Sequence, residues 1–248
     1  MSEFDRLSSL INRFSLKVTP QQGVQVNLVI MGDIKTQVPT KILLAPLSFL
    51  GNVTLVDDYI MFSAGTDWGG RDNPLLATLP NLIEINIQHN PDLSMLARLL
   101  KTEAEAQRCG VSGVLNRLGE VLMIRILRQQ LERGATAPGL LNGLADSRLS
   151  RAIVSMHETP GKNWKNGDLA AIAGLSISRF TELFNHRVGQ TVQSYLRHWR
   201  MILAYQDIER GDRIQTIAHR YGYGSSEALS RAFRRQFGSN PVFHRKRL

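Results

Sequence analysis

Cysteine is nearly absent: Cys109 is the only one in 248 residues. A lone thiol cannot close an intrachain disulfide, so the sequence reads as that of a protein of a reducing compartment. A redox switch would need an activated thiol, and a single Cys at a helix end is more often inert. Long apolar runs are missing as well. None reaches the roughly 20 residues of a membrane-spanning helix, and residues 1–6 lack the charged-then-apolar layout of a secretory signal. The expectation is a soluble, cytoplasmic protein with no membrane partner. Catalytic groups are sparse in the first half of the chain. His89 is the only histidine in residues 1–140, and neither it nor Cys109 has a visible partner for nucleophilic or acid–base work. Asp57-Asp58 reads as a turn rather than a catalytic carboxylate pair. An enzyme is not expected, although a barrel enzyme with a DNA anchor stays open as an alternative.

Charge of one sign is missing from the first half and abundant in the second. The formal net charge is +9. Residues 1–140 hold 13 Lys+Arg and 13 Asp+Glu, whereas residues 141–248 hold 17 and 8, so the whole excess lies there. A balanced N-terminal part and a basic C-terminal part point to a polyanion bound by the second half.

Hydrophobic periodicity divides the chain further. Phe4, Leu7, Leu10, Ile11 and Phe14 predict a short amphipathic helix over residues 3–14. Short runs at 24–31, 42–44, 53–56, 59–63 and 82–88, rich in Val, Ile and aromatics and broken by Gly, Asn and Asp, predict a small antiparallel sheet or barrel. Helical period begins at Leu93, with helices over 93–108 and about 112–133. The second has a broad apolar surface that must be covered. Packing on the sheet and a dimer interface both meet that need. Residues 134–143, small and Gly-rich, read as a linker. The domains expected are 1–92, β-rich; 93–134, helical packing or dimerisation; 135–145, linker; and 146–248, all-helical.

The C-terminal part repeats itself. Ala170 and Gly174 recur 48 residues later as Ala218 and Gly222. Phe180, Phe184 and Gly189 recur at a spacing of 49 as Leu229, Phe233 and Gly238. Each copy has the parts of a helix-turn-helix: a small residue where two helices cross, a turn glycine, and inner apolar residues. Ser176 or Ser178 in the first copy, and Ser225 in the second, can cap the following helix. Between the copies, Val192–Arg210 has no Pro or Gly and predicts one stiff helix, about 27 Å long. Such a spacer could hold two recognition helices about one DNA turn apart, roughly 34 Å.

Asp168-Leu-Ala-Ala-Ile-Ala-Gly-Leu-Ser, Phe184, Gly189, Tyr195-Leu196, Arg200, Ile217-Ala-His-Arg-Tyr-Gly-Tyr-Gly-Ser and Ser230-Arg-Ala-Phe-Arg-Arg-Gln-Phe-Gly-Ser-Asn-Pro resemble the AraC/XylS family of transcription regulators. Asn73-Pro-Leu-Leu-Ala-Thr-Leu-Pro, Gly119–Arg128 and Gly143–Leu149 resemble more loosely a branch with a cupin-like sensor domain. The implied fold is α+β: a small antiparallel cupin-like domain with helices, then an all-α domain with two helix-turn-helix units joined by a long helix. Leu229 and His244 stand where the family usually has aromatics. Metal-binding cupins carry a His/Glu cluster that residues 1–140 lack, so no metal site and no cofactor are expected. The resemblance implies a sequence-specific DNA-binding regulator whose N-terminal domain senses a small-molecule effector, forms a homodimer, or both, with RNA polymerase as a further partner. A ligand-independent architectural DNA binder is the alternative. The resemblance places Ser178, Thr181 and Glu182, and in the second unit Ser226, Glu227 and Arg231, toward base edges. Glu can accept from cytosine N4, and Arg231 suits guanine. Arg179, Arg187, Arg197, Arg234, Arg235 and Lys246 are the candidates for phosphate, which positions a protein without reading sequence.

Overall fold

The computed structural model describes residues 6–11, 13–23, 25–51, 58–69, 73–133 and 138–244. In chain order the elements are α1 (Ser8–Ile11), β1 (Lys17–Pro20), β2 (Leu28–Asp33), β3 (Pro39–Leu44), β4 (Asp58–Asp67), β5 (Ile83–Asn86), α2 (Pro91–Ala106), α3 (Val111–Arg133), α4 (Leu140–Ala145), α5 (Ser147–Glu158), α6 (Asn166–Ala173), α7 (Ile177–Val188), α8 (Val192–Glu209), α9 (Ile214–Arg220) and α10 (Ser226–Phe237). They form two compact units. One is residues 13–133; the other joins residues 1–12 to residues 134–248.

The first unit is an antiparallel sheet of strand order β1-β4-β2-β3-β5, with α2 and α3 packed on it. β2 is buried along nearly its whole length, so it reads as an unbroken apolar run, Leu28-Val-Ile-Met. β5 alternates, with Ile83 and Ile85 inward and Glu84 outward to pair with Lys41 of β3 at 2.7 Å. Asn73 is fully buried and bridges a turn: its Nδ2 donates to Trp68 O and its Oδ1 accepts from Leu75 N–H. The Asn73-Pro-Leu-Leu segment thus carries a structural polar link. α2 starts on Asn90, whose side chain accepts from Leu93 N–H, with Pro91 at the first helical position. α3 crosses β1 closely at Gly119, where a Cβ would lie 2.4 Å from Val18 Cγ2.

Several expectations change here. The helix expected over 3–14 is reduced to Ser8–Ile11 among the described residues, and it belongs to the other unit. The strand expected at 53–56 lies outside the described residues. Asp58 opens β4 and accepts from Thr40 Oγ1. Of the helical segment 93–134, for which packing on the sheet and a dimer interface are both open from the sequence, residues 93–133 share one unit with the sheet.

The second unit is all helical. Residues 140–145 of the expected linker are part of its core: Leu140, Leu141 and Leu144 of α4 are buried, and α4 packs on α5 and α7. Each such Leu contributes about 1.5–3 kcal/mol of burial. Gly143 is there because space is tight, since a Cβ would meet Val188 Cγ2 at 2.7 Å. α5 is capped by Asp146, which accepts from Arg148 and Leu149 N–H. The Arg148 side chain and those amides hold its carboxyl well below the usual carboxylate range, at about 2. The N-terminal segment docks on this unit. Leu7, Leu10 and Ile11 are buried, α1 touches α5, and Arg6 Nη1 donates to Leu144 O at 3.1 Å, at the end of α4.

Candidate nucleic-acid interface

The repeat read from sequence is a repeat in space. α6–α7 and α9–α10 are two helix pairs, each with a glycine in left-handed conformation between them: Gly174 at φ +68° and Gly222 at φ +73°. The crossing residues Ala170 and Ala218 are buried. The amides after the two glycines make the same bond, Leu175 N–H to Ala170 O and Tyr223 N–H to Ala218 O. This is the glycine-centred C-terminal cap that satisfies the last carbonyls of a helix.

α7 and α10 are each 12 residues long, begin on a serine cap and end on a glycine of positive φ, Gly189 or Gly238. Ser176, rather than Ser178, caps α7 by accepting from Arg179 N–H; Ser225 caps α10 by accepting from Ala228 N–H. Phe180, Leu183 and Phe184 bury one side of α7, and Leu229 and Phe233 one side of α10. The opposite sides are polar and open. Between the pairs, α8 runs Val192–Glu209, buried along Tyr195, Leu196, Trp199, Ile202 and Leu203. Tyr195 OH meets His157 Nε2 at 2.5 Å, and burial pushes the phenol above its ordinary range, so it stays protonated.

Residues 169–247 match the family model of a helix-turn-helix domain, and residues 62–132 match that of a cupin. A protein described as a putative AraC-like transcription regulator of Streptomyces lividans is 32% identical over 195 residues, covering 77% of this chain and 64% of that one. The transcriptional regulator AlkR of Acinetobacter baylyi is 31% identical over 179 residues, covering 70% and 58%. The match therefore spans just under two thirds, at most, of these relatives. The chain carries an AraC-type helix-turn-helix domain behind a cupin-type domain. Among solved structures, the DNA-binding domain of AdpA in complex with a target DNA is 28% identical, covers 40% of this chain and 90% of that one, and has a TM-score of 0.38.

In the AraC-type domain the residues expected at base edges fall on the open sides of α7 and α10. Ser178 and Glu182 are exposed. Thr181 is half-buried, and its hydroxyl donates to Ile177 O and Ser178 O, which leaves it an acceptor for an incoming group. Glu182 pairs with Arg179 at 3.0 Å on the surface. Such a pair contributes about 0.2–1 kcal/mol, so a nucleic acid can part it. In α10, Ser226 Oγ donates to Glu227 Oε1. Hydrogen bonds from Ser225, its own amide and Ser226 hold the Glu227 carboxyl below its ordinary range, with Arg231 adding to the effect. Arg231, Arg234, Arg235 and Arg197 are exposed, and their side chains carry no hydrogen bond or ion pair among the described residues. Lys246 lies outside the described residues.

Arg187 already has a neutral partner. It is half-buried, its Nη1 donates to Asn142 Oδ1 at 3.0 Å, and its carbonyl accepts from Gly139 N–H at 2.8 Å. It ties α7 to α4. Two further groups have no role assigned from sequence. Arg200 of α8 donates through Nε to Pro160 O and through Nη2 to Lys162 O, holding the loop after α5. Asp207 of α8 is buried and accepts from Arg220 Nη1 and, at 2.6 Å, from Tyr221 OH. A buried Asp at an otherwise apolar helix position is the signal that was available for it.

Proposed function

We propose that this protein is a sequence-specific DNA-binding transcription regulator. The reading is carried by one observation: two Ser-capped helices of equal length, matched by caps and glycines, present polar and basic outer sides within the basic half of the chain. Ser178, Thr181, Glu182, Ser226, Glu227 and Arg231 are proposed to meet base edges, and Arg179, Arg197, Arg234 and Arg235 phosphates, with Lys246 in the same role. The expected result is tight binding of the full-length protein to duplexes recovered by selection, at least 10³-fold over random duplex, with a steep salt slope. Arg231→Ala should weaken the selected site about 5–150-fold, corresponding to about 1–3 kcal/mol at a guanine, while leaving random duplex nearly unchanged. Equal affinity for selected and random duplex across the salt series would sink the proposal.

The cupin-type unit is proposed to bring two copies together. Met95 and Leu99 of α2, and Val114 and Val121 of α3, leave apolar side chains in solvent at spacings that keep each pair on one side of its helix. A dimer also gives an effector something to shift, since a small molecule that favours one subunit arrangement changes occupancy of paired DNA sites. Sedimentation across a concentration series should show dimer formation. Met95→Lys combined with Leu99→Lys should weaken it at least tenfold without altering the melting temperature of the cupin-type unit. An unchanged monomer–dimer curve in that variant would count against this surface.

A further inference from the structure

A cleft of about 170 Å³ opens between the first half of α8 and the second half of α10. Ser194, Arg197 and His198 line it from α8, Arg235 and Gln236 from α10, and Gln190 from the turn before α8. No carboxylate is among its lining residues. His198 Nδ1 and Gln236 Nε2 are 2.9 Å apart, so the two walls already touch on one side.

Two of the unit's unpaired arginines meet in this cleft. In the same unit, Arg148, Arg179, Arg210 and Arg220 each have a carboxylate, and Arg151, Arg187 and Arg200 each have an oxygen acceptor. The guanidiniums of Arg197, Arg231, Arg234 and Arg235 have neither a hydrogen bond nor an ion pair among the described residues, and of these Arg197 and Arg235 share one cleft. Two guanidiniums facing one small space repel unless an anion lies between them. The planar donor fork of arginine suits an oxyanion with several acceptor oxygens. Ser194 sits in the first turn of α8, so the helix dipole adds to the attraction, and its hydroxyl is a further donor.

We infer that this cleft is a pocket for a single phosphate group, held jointly by Arg197 and Arg235. Its source is either a backbone phosphate of bound duplex or a free phosphate-bearing molecule. The first source rests on the DNA-binding function proposed above; the pocket itself does not. A phosphate held from both walls would fix α10 against α8.

The test uses full-length protein with isotope-labelled arginine. Titration with inorganic phosphate, at constant ionic strength in chloride, should shift the Nε signals of Arg197 and Arg235 together with one dissociation constant. Arg213, exposed on the surface, should not follow. Arg197→Gln or Arg235→Gln should weaken phosphate at least tenfold without changing the melting temperature. On duplex, the count of neutralised phosphates decides the source. If both arginines hold one backbone phosphate, either substitution alone leaves the log–log salt slope nearly unchanged and the double substitution lowers it by about 1. A slope unchanged in the double variant, with phosphate binding intact in the wild type, assigns the pocket to a free phosphate-bearing ligand. Two results overturn the inference: phosphate that moves Arg197 and Arg235 no more than Arg213, or a double variant whose slope falls by about 2, the sum of independent contacts. Wild-type protein that binds phosphate here but prefers no duplex sequence would remove the regulator reading and leave the pocket standing.

Discussion

Replacing Gly222 by Ala is expected to destabilise the helical unit by about 2–5 kcal/mol, the sum of left-handed strain of about 1–2 kcal/mol and overpacking of about 1–3 kcal/mol. Gly222 has φ +73°, and a Cβ there would lie 2.5 Å from Gly161 O. The contact is reciprocal: a Cβ on Gly161 would lie 2.2 Å from Arg220 O. Both obstacles are backbone, so no side chain can swing aside. The loop that carries Gly161 is also gripped by Arg200 through Pro160 O and Lys162 O. The turn of the second helix-turn-helix therefore leans on the loop that precedes the first, and losing this contact should loosen the two pairs from each other. Gly161→Ala should show the packing cost without the dihedral cost. Gly238→Ala, at φ +75° with open space around it, should show the dihedral cost alone, and Gly224→Ala, with nothing within 4 Å, should be nearly neutral. Calorimetry on the four variants separates these causes. Melting curves for Gly161→Ala and Gly222→Ala that overlay that of Gly224→Ala would contradict the assignment. Specific DNA binding should fall with the first two and persist in the last.

The second large effect is expected at Asp207. Its side chain is 5% exposed and joins Arg220, Tyr221 and, at 3.7 Å, Arg210. Asp207→Ala leaves the Tyr221 hydroxyl without its acceptor and deprives Arg220 of one of its two carboxylates. Removing one partner of a buried pair costs about 3–5 kcal/mol; Arg220 is half-exposed and keeps Asp212, so about 2–3 kcal/mol is expected here. Tyr221→Phe keeps the ring and removes one donor, so it should cost about 0.5–1.5 kcal/mol. Because α9 and the turn to α10 are set by this network, selected-site affinity should fall with Asp207→Ala by more than random-duplex affinity does. A Tm within 2 °C of wild type for Asp207→Ala would refute a structural role, given that about 1 kcal/mol moves Tm by about 2–4 °C even in a unit of 150–250 residues.

Local chemistry explains what the sequence made legible. α8 was expected at 192–210 and occupies Val192–Glu209, because an apolar stripe without Pro or Gly has one periodic solution. Ser176 and Ser225 were readable as caps because the hydroxyl has to stand where the apolar repeat begins. β1 was missed. Its four residues, Lys17-Val-Thr-Pro, bury only Val18 and end in proline, so no alternation can register. α4 was misread for a subtler reason. Glycine signals freedom in a linker and close approach in a core, and composition does not separate the two. Gly143 is the second kind. That misreading led to another: with residues 135–145 taken as a tether, Asn142 could not be seen as the partner of Arg187. The outer residues of α7 and α10 were legible as a surface, because helical spacing separates Ser178 and Glu182 from Phe180 and Phe184. The buried Asp207 network and the Arg197–Arg235 cleft join residues from separate helices, and spacing within one helix says nothing about them.

The docking of Arg6, Leu7, Leu10 and Ile11 on the helical unit has a consequence for synthesis. Arg6 reaches Leu144, 138 positions along the chain. A growing chain emits about 5–20 residues per second, so this segment waits about 7–28 s before its partner is even translated. Through that interval three apolar side chains have no native surface to cover, while residues 13–133 can already complete their own sheet and helices. The AraC-type unit then closes by recruiting a segment made well before the rest of it. Its closure is therefore a long-range capture, and a segment made before residues 13–133 is ordered after them.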